Sequence, residues 1–140
     1  MPPIRVLVAD DSITVRKRLI AVLSADPALE VIAEAADGRT ATEMCRRLRP
    51  DVMTMDVMMP VMDGLEATRL IRRLEAATGV RTPILMLSAN ALAEHREAGR
   101  KAGADGHVAK PVTVAGLMGA LNALLEPDED APAQIPAAAG

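Results

Sequence analysis

The sequence contains no phenylalanine, tyrosine or tryptophan, and it contains only one cysteine, Cys45. Without aromatic rings the chain lacks the usual stacking partners of unpaired bases and of flavins. A single thiol cannot form an internal disulfide, so a disulfide-stabilised secreted domain is excluded. Cys45 lies on the apolar stripe of a predicted helix, where we expect a buried, inert thiol. The sequence also lacks a run of about 18 apolar residues, so no transmembrane helix is expected.

Excess positive charge is absent as well. The chain carries 16 Lys and Arg against 19 Asp and Glu, a net charge of -3, and four of the acids lie within residues 126–140. Binding to nucleic acid requires clustered basic residues, so we predict no nucleic-acid partner. The first five residues lack the basic and apolar segments of a secretory signal, which predicts a cytoplasmic protein without a membrane partner.

The length and composition indicate one folded domain. The chain has 140 residues, half of which are apolar, and this suffices for one hydrophobic core. We predict a folded domain over residues 1–126. Residues 127–140 are rich in proline, alanine and acids, a composition that predicts a disordered tail.

Strand and helix patterns alternate five times along the predicted domain. Buried strands are expected at residues 4–9, near Val31, and at 51–55, 84–87 and 105–109, each followed by helical spacing of apolar residues. Thr113 is in place to cap the last helix, and the fourth helix has a weak stripe of small residues, so we expect it to be mobile. The alternation predicts a doubly wound α/β fold: a five-stranded parallel sheet with helices on both faces.

Polar side chains stand where the predicted strands end. Asp10 and Asp11 follow the first strand, Asp56 the third, Ser88 the fourth and Lys110 the fifth. A parallel sheet brings these ends to one edge, where such folds bind their ligands. Three neighbouring carboxylates repel one another unless a cation offsets them, and Mg²⁺ or Mn²⁺ suits oxygen ligands.

These residue types fit phosphoryl transfer to a carboxylate. Asp56 stands alone at its strand end and is the candidate nucleophile, while the pair Asp10 and Asp11 is better placed to hold a metal. Lys110 and the Ser88 hydroxyl would contact oxygens of the phosphoryl group. The predicted site is therefore a metal-assisted phosphoacceptor.

In sequence order, these motifs resemble response-regulator receiver domains of two-component signalling, of the chemotaxis or hybrid-kinase type. The resemblance covers about residues 4–125 and implies the flavodoxin-like strand order 2-1-3-4-5, for which a chemotaxis member of the family is a standard example. It rests on five motifs: Asp10-Asp11-Ser12, the segment from Met55 to Pro60, Asp63-Gly64, Leu87-Ser88-Ala89 and Lys110-Pro111.

The resemblance also implies the roles of individual residues. It implies phosphorylation of Asp56 and Mg²⁺ binding by Asp11, Asp56 and the main-chain carbonyl of Met58, with Asp10 acting through water. Ser88 and Lys110 would bind the phosphoryl group, and the peptide bond between Lys110 and Pro111 would be cis. The expected donor is a sensor histidine kinase or a histidine phosphotransfer protein.

The family further implies a conformational switch. Ser88 would move toward the phosphoryl group, and an aromatic side chain in the fifth strand would turn inward behind it. Here that position is His107, so we expect the switch to depend on pH. Met58, Ala89 and Asn90 would tune the site, and Met58 could impede the hydrolysing water. A protein output partner would recognise the fourth helix, fifth strand and fifth helix.

Three other functions compete with the receiver interpretation. A flavin or nucleotide binder could share the fold, but it needs a phosphate-cradling loop that this sequence lacks. A phosphatase with an aspartyl intermediate commonly has an acid two residues after its nucleophile, and here that residue is Met58. A binding module that has lost phosphorylation would not need the intact five-residue set. We therefore expect a switch that is not an enzyme, whose output comes from a partner unless the chain belongs to a larger regulator.

Overall fold

The structure is a computed structural model that describes residues 2–89 and 93–125. The predicted tail and Asn90 lie outside the described residues. Strands and helices alternate throughout this part of the chain: β1 Ile4–Ala9, α1 Ile13–Ser24, β2 Leu29–Ala35, α2 Gly38–Leu48, β3 Val52–Asp56, α3 Gly64–Ala76, β4 Ile84–Ser88, α4 Ala93–Ala102, β5 Gly106–Ala109 and α5 Val114–Leu125. The predicted elements are confirmed, with shifts of a few residues at their ends.

The strands form one parallel sheet in the order β2-β1-β3-β4-β5. The predicted doubly wound α/β fold and its strand order are therefore confirmed. Chain connection reverses direction between β1 and β3, the two strands that deliver Asp10 and Asp56. A ligand crevice is expected at such a reversal, beyond the carboxyl ends of the strands.

The two faces of the sheet are covered by different side chains. On one face, α1 and α5 pack leucine and valine against the strands, including Leu19, Leu23, Leu117 and Leu121. On the other face, α2 and α3 cover a layer that is rich in methionine, with Met53, Met55, Met59 and Met86 all buried. Cys45 is buried in this second layer, as the sequence predicts.

Side-chain caps fix where the helices begin. The Ser12 hydroxyl accepts a hydrogen bond from the Val15 N–H, and the carboxylates of Asp37 and Asp63 cap α2 and α3 in the same way. The Thr113 hydroxyl accepts the Gly116 N–H, which confirms the predicted cap of α5. None of the described helices has the length and apolar character of a membrane span.

The fourth helix buries little. Gly99 and Ala102 are its buried residues among those whose side chains are described, and both are small. Such residues offer little apolar area to the sheet, so α4 has weak anchorage compared with α1 or α3. Its mobility stays a prediction.

Candidate functional site

Four loops at the carboxyl end of the sheet bring the predicted site residues to one place. Asp10 and Asp11 follow β1, Asp56 and Ser88 are the last residues of β3 and β4, and Lys110 follows β5. Asp10, Asp56 and Ser88 are buried, with exposed fractions of 0%, 3% and 4%, whereas Asp11 is exposed. The site is therefore a half-closed pit whose open side is lined by Asp11.

The three carboxylates can share one cation. One oxygen each from Asp10, Asp11 and Asp56 lies within 4.8 Å of the others. Carboxylate oxygens are the hard ligands that Mg²⁺ prefers, and Mg²⁺ usually keeps several waters beside one or two carboxylates. Because two of these carboxylates are buried, their repulsion gives an added reason for a cation to bind. The donor set thus fits Mg²⁺.

Lys110 provides the positive charge in the described part of this pit. Its Nζ lies 2.9 Å from Oδ2 of Asp10 and 3.2 Å from Oδ1 of Asp56. Burial opposes the charged amine, but the hydrogen bond to Asp10 and the charge of Asp56 outweigh it and raise the pKa of Lys110. Lys110 is therefore an ammonium ion that links two of the three acids. The predicted cis peptide bond between Lys110 and Pro111 is confirmed.

The carboxyl group of Asp56 binds its proton more tightly than usual. Burial and the neighbouring charge of Asp10 raise its pKa to about 6, against the opposing effects of Lys110 and the Met58 N–H. At pH 7 most of the group is nevertheless ionised. Asp56 is thus an available nucleophile whose negative charge is poorly compensated.

Asp10 is held from several directions. Its carboxylate accepts the Ser12 N–H at 3.0 Å as well as the Lys110 ammonium. Its carbonyl accepts a hydrogen bond from Nη1 of Arg16 at 2.9 Å, and Nε of Arg16 bonds Oε1 of Glu34 at 2.7 Å. Sequence reasoning missed Arg16, because helical spacing placed it only outside the apolar stripe.

A glycine permits the close approach of α3 to β3, the strand that ends in Asp56. The Gly64 N–H donates to the Val57 carbonyl at 2.8 Å, and a Cβ on Gly64 would lie 2.2 Å from the Asp56 carbonyl oxygen. Gly38 is similar, since a Cβ there would lie 2.0 Å from the Met62 carbonyl oxygen. The pair Asp63-Gly64 indicated a loop before a helix, but nothing in the sequence indicated this contact with β3.

The loop between β3 and α3 presents apolar side chains to solvent. Met58 is 72% exposed and Val61 is 73% exposed. Val61 has a φ of 68°, a strained conformation for a β-branched residue, and the Met62 N–H closes the turn onto the Pro60 carbonyl at 2.6 Å. Met58 is therefore not core filling, in contrast to its neighbour Met59, which is buried.

His107 lies in β5, paired with Met86 of β4. Its ring nitrogens are shielded from solvent and have no hydrogen-bond partner within the described residues. Burial, and then the charges of Arg96 and His95, lower the pKa of His107. Ala89 is exposed beyond β4. His95 is exposed as well.

A family comparison agrees with the fold and with the order of the motifs. The family model described as the response regulator receiver domain matches residues 6–122. This chain is a response regulator receiver domain. Two-component signalling is the setting of that family, and its members bind Mg²⁺ through acidic residues.

Solved structures of receiver domains superimpose closely on this one. The response regulator domain of CheB from Thermotoga maritima has a TM-score of 0.79 and 30% identity, with 90% of this chain and 98% of that chain covered. The chemotaxis protein CheY4 from Vibrio cholerae has a TM-score of 0.77 and 33% identity, with 88% and 99% covered. A CheX-CheY-BeF3-Mg complex from Borrelia burgdorferi, at 24% identity and a TM-score of 0.82, covers 90% of this chain and 92% of that one and shares the fold.

Curated relatives carry the name of an enzyme. A protein-glutamate methylesterase/protein-glutamine glutaminase of Nocardioides sp. is 48% identical over 118 residues, which cover 81% of this chain and 31% of the relative. A protein of the same name from Myxococcus xanthus is 52% identical over 86 residues, with 61% and 23% covered. The chain thus spans less than a third of the length of these relatives.

These relatives contradict the prediction that the chain is not an enzyme. That prediction used the strand-end residues and Met58, whose arrangement is the one expected of a phosphoacceptor and has no bearing on ester or amide hydrolysis. The relatives are named for hydrolytic activities, and the matches cover only their receiver part. A site at the sheet edge therefore cannot exclude an enzyme, and the prediction was wrong.

Proposed function

We propose that this receiver domain accepts a phosphoryl group on Asp56 from a phosphohistidine of a sensor kinase or phosphotransfer protein. The observation that carries the proposal is the charge balance of the pit. Three carboxylates lie close together, only two of them are bonded to the ammonium group of Lys110, and the pKa of the Asp56 carboxyl is raised to about 6. Such a site gains stability from a cation and offers one ionised carboxylate to an incoming phosphorus atom.

In the proposed transfer, an oxygen of Asp56 forms a bond to phosphorus as the bond from phosphorus to the histidine nitrogen breaks. The leaving imidazole takes up a proton, and Asp56 becomes an acyl phosphate. Asp11, Asp56 and the Met58 carbonyl would hold Mg²⁺, with Asp10 assisting through water. When bound, Mg²⁺ offsets charge on the phosphoryl oxygens. Lys110 would exchange its contact with Asp56 for one with a phosphoryl oxygen, and Ser88 would donate to another.

The donor would be a protein, because exposed apolar side chains stand at the same end of the sheet as the pit. Ile13, Met58, Val61 and Val114 are all exposed, and they stand on the loops or first helical turns at this end of the sheet. Exposed apolar groups gathered in one region are typical of protein-binding surfaces. We further propose a cytoplasmic location, in keeping with a lone free thiol, Cys45.

A protein partner would recognise the phosphorylated state at the α4–β5–α5 face. Movement of Ser88 toward the phosphoryl group would draw the end of β4 inward, and His107 on the adjacent strand would follow. The weak anchorage of α4 lowers the cost of such a change. Phosphorylation would then shift the balance between two conformers of this face.

Met58 would set how long the acyl phosphate survives. Its side chain is largely exposed two residues after Asp56, so it is free to lie over the phosphoryl group and impede attack by water. Ala89 and Asn90 would act from the β4 side. Replacement of Met58 by Asn should increase the dephosphorylation rate, and an unchanged rate in both Met58→Asn and Met58→Ala would remove this role.

Phosphorylation by acetyl phosphate or a cognate kinase with Mg²⁺ tests the main proposal. Intact mass should show one added phosphoryl group in the wild type and none in Asp56→Asn. Asp63→Asn is a matched control, because it also removes a carboxylate from this end of the molecule while retaining a capping side chain. A label that persists in Asp56→Asn, or no label in the wild type, would contradict the proposal.

A second proposal concerns the output. The relatives are named for hydrolysis of glutamate methyl esters and glutamine amides in proteins. By that similarity, phosphorylation of this receiver domain would control such a hydrolysis. Methanol release from a methyl-esterified protein, measured with and without acetyl phosphate, tests it. Release that rises upon phosphorylation, and not in Asp56→Asn, is the expected result.

A further inference from the structure

Arg16 connects three parts of the chain behind the acidic pit. It lies in the first turns of α1, and its side chain is 15% exposed. Through Nη1 it donates to the carbonyl of Asp10 at 2.9 Å, and through Nε it donates to Glu34 near the end of β2 at 2.7 Å. A planar guanidinium can make both contacts at once, because its donors point in fixed and different directions.

Arg16 contacts the peptide group that joins Asp10 to Asp11. The Asp10 N–H is already bonded to the Ala35 carbonyl at 3.0 Å, and its carboxylate is bonded to Ser12 and Lys110. The Asp10 carbonyl and the Asp11 N–H belong to one rigid peptide plane. Arg16, by holding that carbonyl, fixes the plane from which Asp11 departs.

Asp11 has no other support within the described residues. Its side chain is exposed, and it takes part in no hydrogen bond or ion pair there. Its carboxylate nevertheless lies within 4.8 Å of the oxygens of Asp10 and Asp56. The main chain alone therefore holds this exposed carboxylate beside two others that repel it.

We propose that Arg16, oriented by Glu34, is a positioning residue that preorganises Asp11 for the divalent cation. The proposal rests on the proposed function, in which Asp11 is a metal ligand. Groups that orient metal ligands change metal affinity by about 10- to 100-fold when they are removed. Arg16 would act in this way through a main-chain carbonyl rather than through the ligand side chain.

If Arg16 acted only through its charge, its removal would change the Mg²⁺ affinity in the opposite direction. A guanidinium near a cation site repels the cation, so removal of its charge would strengthen Mg²⁺ binding if Arg16 acted only by its field. Loss of orientation would weaken binding instead. The sign of the change therefore separates the two effects.

Calorimetric titration of the unphosphorylated protein with Mg²⁺ provides the test. We expect Arg16→Met to weaken Mg²⁺ binding about 10-fold. Arg16→Lys should also weaken it, because one ammonium cannot reproduce the two-directional contact. Lys17→Met removes the same charge from an exposed neighbour and should leave the affinity nearly unchanged. Urea denaturation confirms that each variant is folded.

Amide hydrogen exchange in metal-free protein gives a second readout. Exchange of the Asp10 N–H, which is bonded to the Ala35 carbonyl, should be faster in Arg16→Met than in the wild type or in Lys17→Met. Tighter Mg²⁺ binding by Arg16→Met, or unchanged affinity and exchange, would overturn the proposal. If the wild type itself fails to bind Mg²⁺, the proposed function fails, whereas the exchange data still decide whether Arg16 holds the main chain at Asp10.

Discussion

Two clusters of charged residues lie at opposite ends of the sheet, and they differ in how their charges are balanced. At the amino ends of β4 and β5, Arg72 bonds Glu75 at 2.7 Å and Asp105 at 2.8 Å, and Arg81 also pairs with Asp105. Arg72 further donates to the carbonyls of Gly103 and Thr82. At the carboxyl ends, Lys110 pairs with Asp10 and Asp56, and the carboxylate of Asp11 lies beside theirs without a cation among the described residues.

The difference separates a structural cluster from a binding cluster. In the Arg72 cluster, two cations face two anions, and the carboxylates of Glu75 and Asp105 also accept the N–H groups of Thr82 and Ile84. Every charge there has a partner, so the cluster connects α3 with the segments that precede β4 and β5. The acidic pit instead retains surplus negative charge, which a divalent cation can offset. Incomplete compensation is thus the mark of the functional end.

Removal of Arg72 should have the largest effect on stability. Arg72→Ala leaves Glu75, Asp105 and two carbonyls without their donor, and breaking a largely buried ion-pair cluster costs about 3 kcal/mol of unfolding free energy. Arg73→Ala, at an exposed neighbouring position, should change it by no more than about 0.5 kcal/mol. Urea denaturation followed by circular dichroism measures both. Equal unfolding free energies for Arg72→Ala and the wild type would mean that these ion pairs do not stabilise the fold.

Removal of a charge from the pit should have the opposite sign. The pKa of Asp56 is raised to about 6, so the folded state binds its proton more tightly than the unfolded chain does. The contribution of Asp56 to the free energy of unfolding therefore falls as the pH rises from about 4 to about 6, and it falls no further above that range. In metal-free protein at pH 7, Asp56→Asn should be more stable than the wild type by up to about 3 kcal/mol. A variant that is less stable, or a gap that does not grow with pH, would contradict the charge argument.

Divalent cations should affect only one of the two clusters. At a Mg²⁺ concentration ten times its dissociation constant, the wild type should gain about 1.4 kcal/mol of unfolding free energy. Asp56→Asn should gain less, because it has lost one of the three carboxylates. The measurement is a thermal or urea transition in Mg²⁺ and in a chelator. A similar gain in both proteins would place cation binding outside the pit.

The smallest effect is expected at His107. The pKa of this residue is lowered by burial and by Arg96 and His95, so the folded state binds its proton less readily than the unfolded chain does. The stability contribution from the neutral ring is complete above about pH 6.5 and is lost as the pH falls below that value. Asp105 and Arg100 line the same groove beside α4. In His107→Phe this part of the acid dependence should disappear.

Partner binding gives a second test at His107. If the affinity of the phosphorylated protein for its partner is constant from about pH 6 to pH 8 in both the wild type and His107→Phe, the predicted pH sensitivity of the switch is wrong. If the wild type alone varies over this range, the prediction holds.

The sequence predicts the sheet and the acids at its edge because both depend on local patterns. An apolar run that ends in Asp10, Asp56 or Ser88 indicates both a strand and the residue at which the strand ends. Local patterns do not predict the contacts of Arg16 and Arg72, because their partners depend on how helices dock against distant strands. The same holds for Gly64, because its contact with Asp56 depends on the approach of α3 to β3. The enzymatic names of the relatives concern proteins much longer than this chain, so the strand-end pattern could not predict them.

The uneven filling of the interior has a consequence for how the molecule can deform. Leucine and valine on the α1–α5 side have few rotamers, whereas the methionines under α2 and α3 have flexible, unbranched side chains. A small displacement of β4 on the methionine side can be absorbed by bond rotations, without opening a void. The leucine- and valine-rich side of the core is thereby suited to keep its packing, and the methionine-rich side is suited to rearrange.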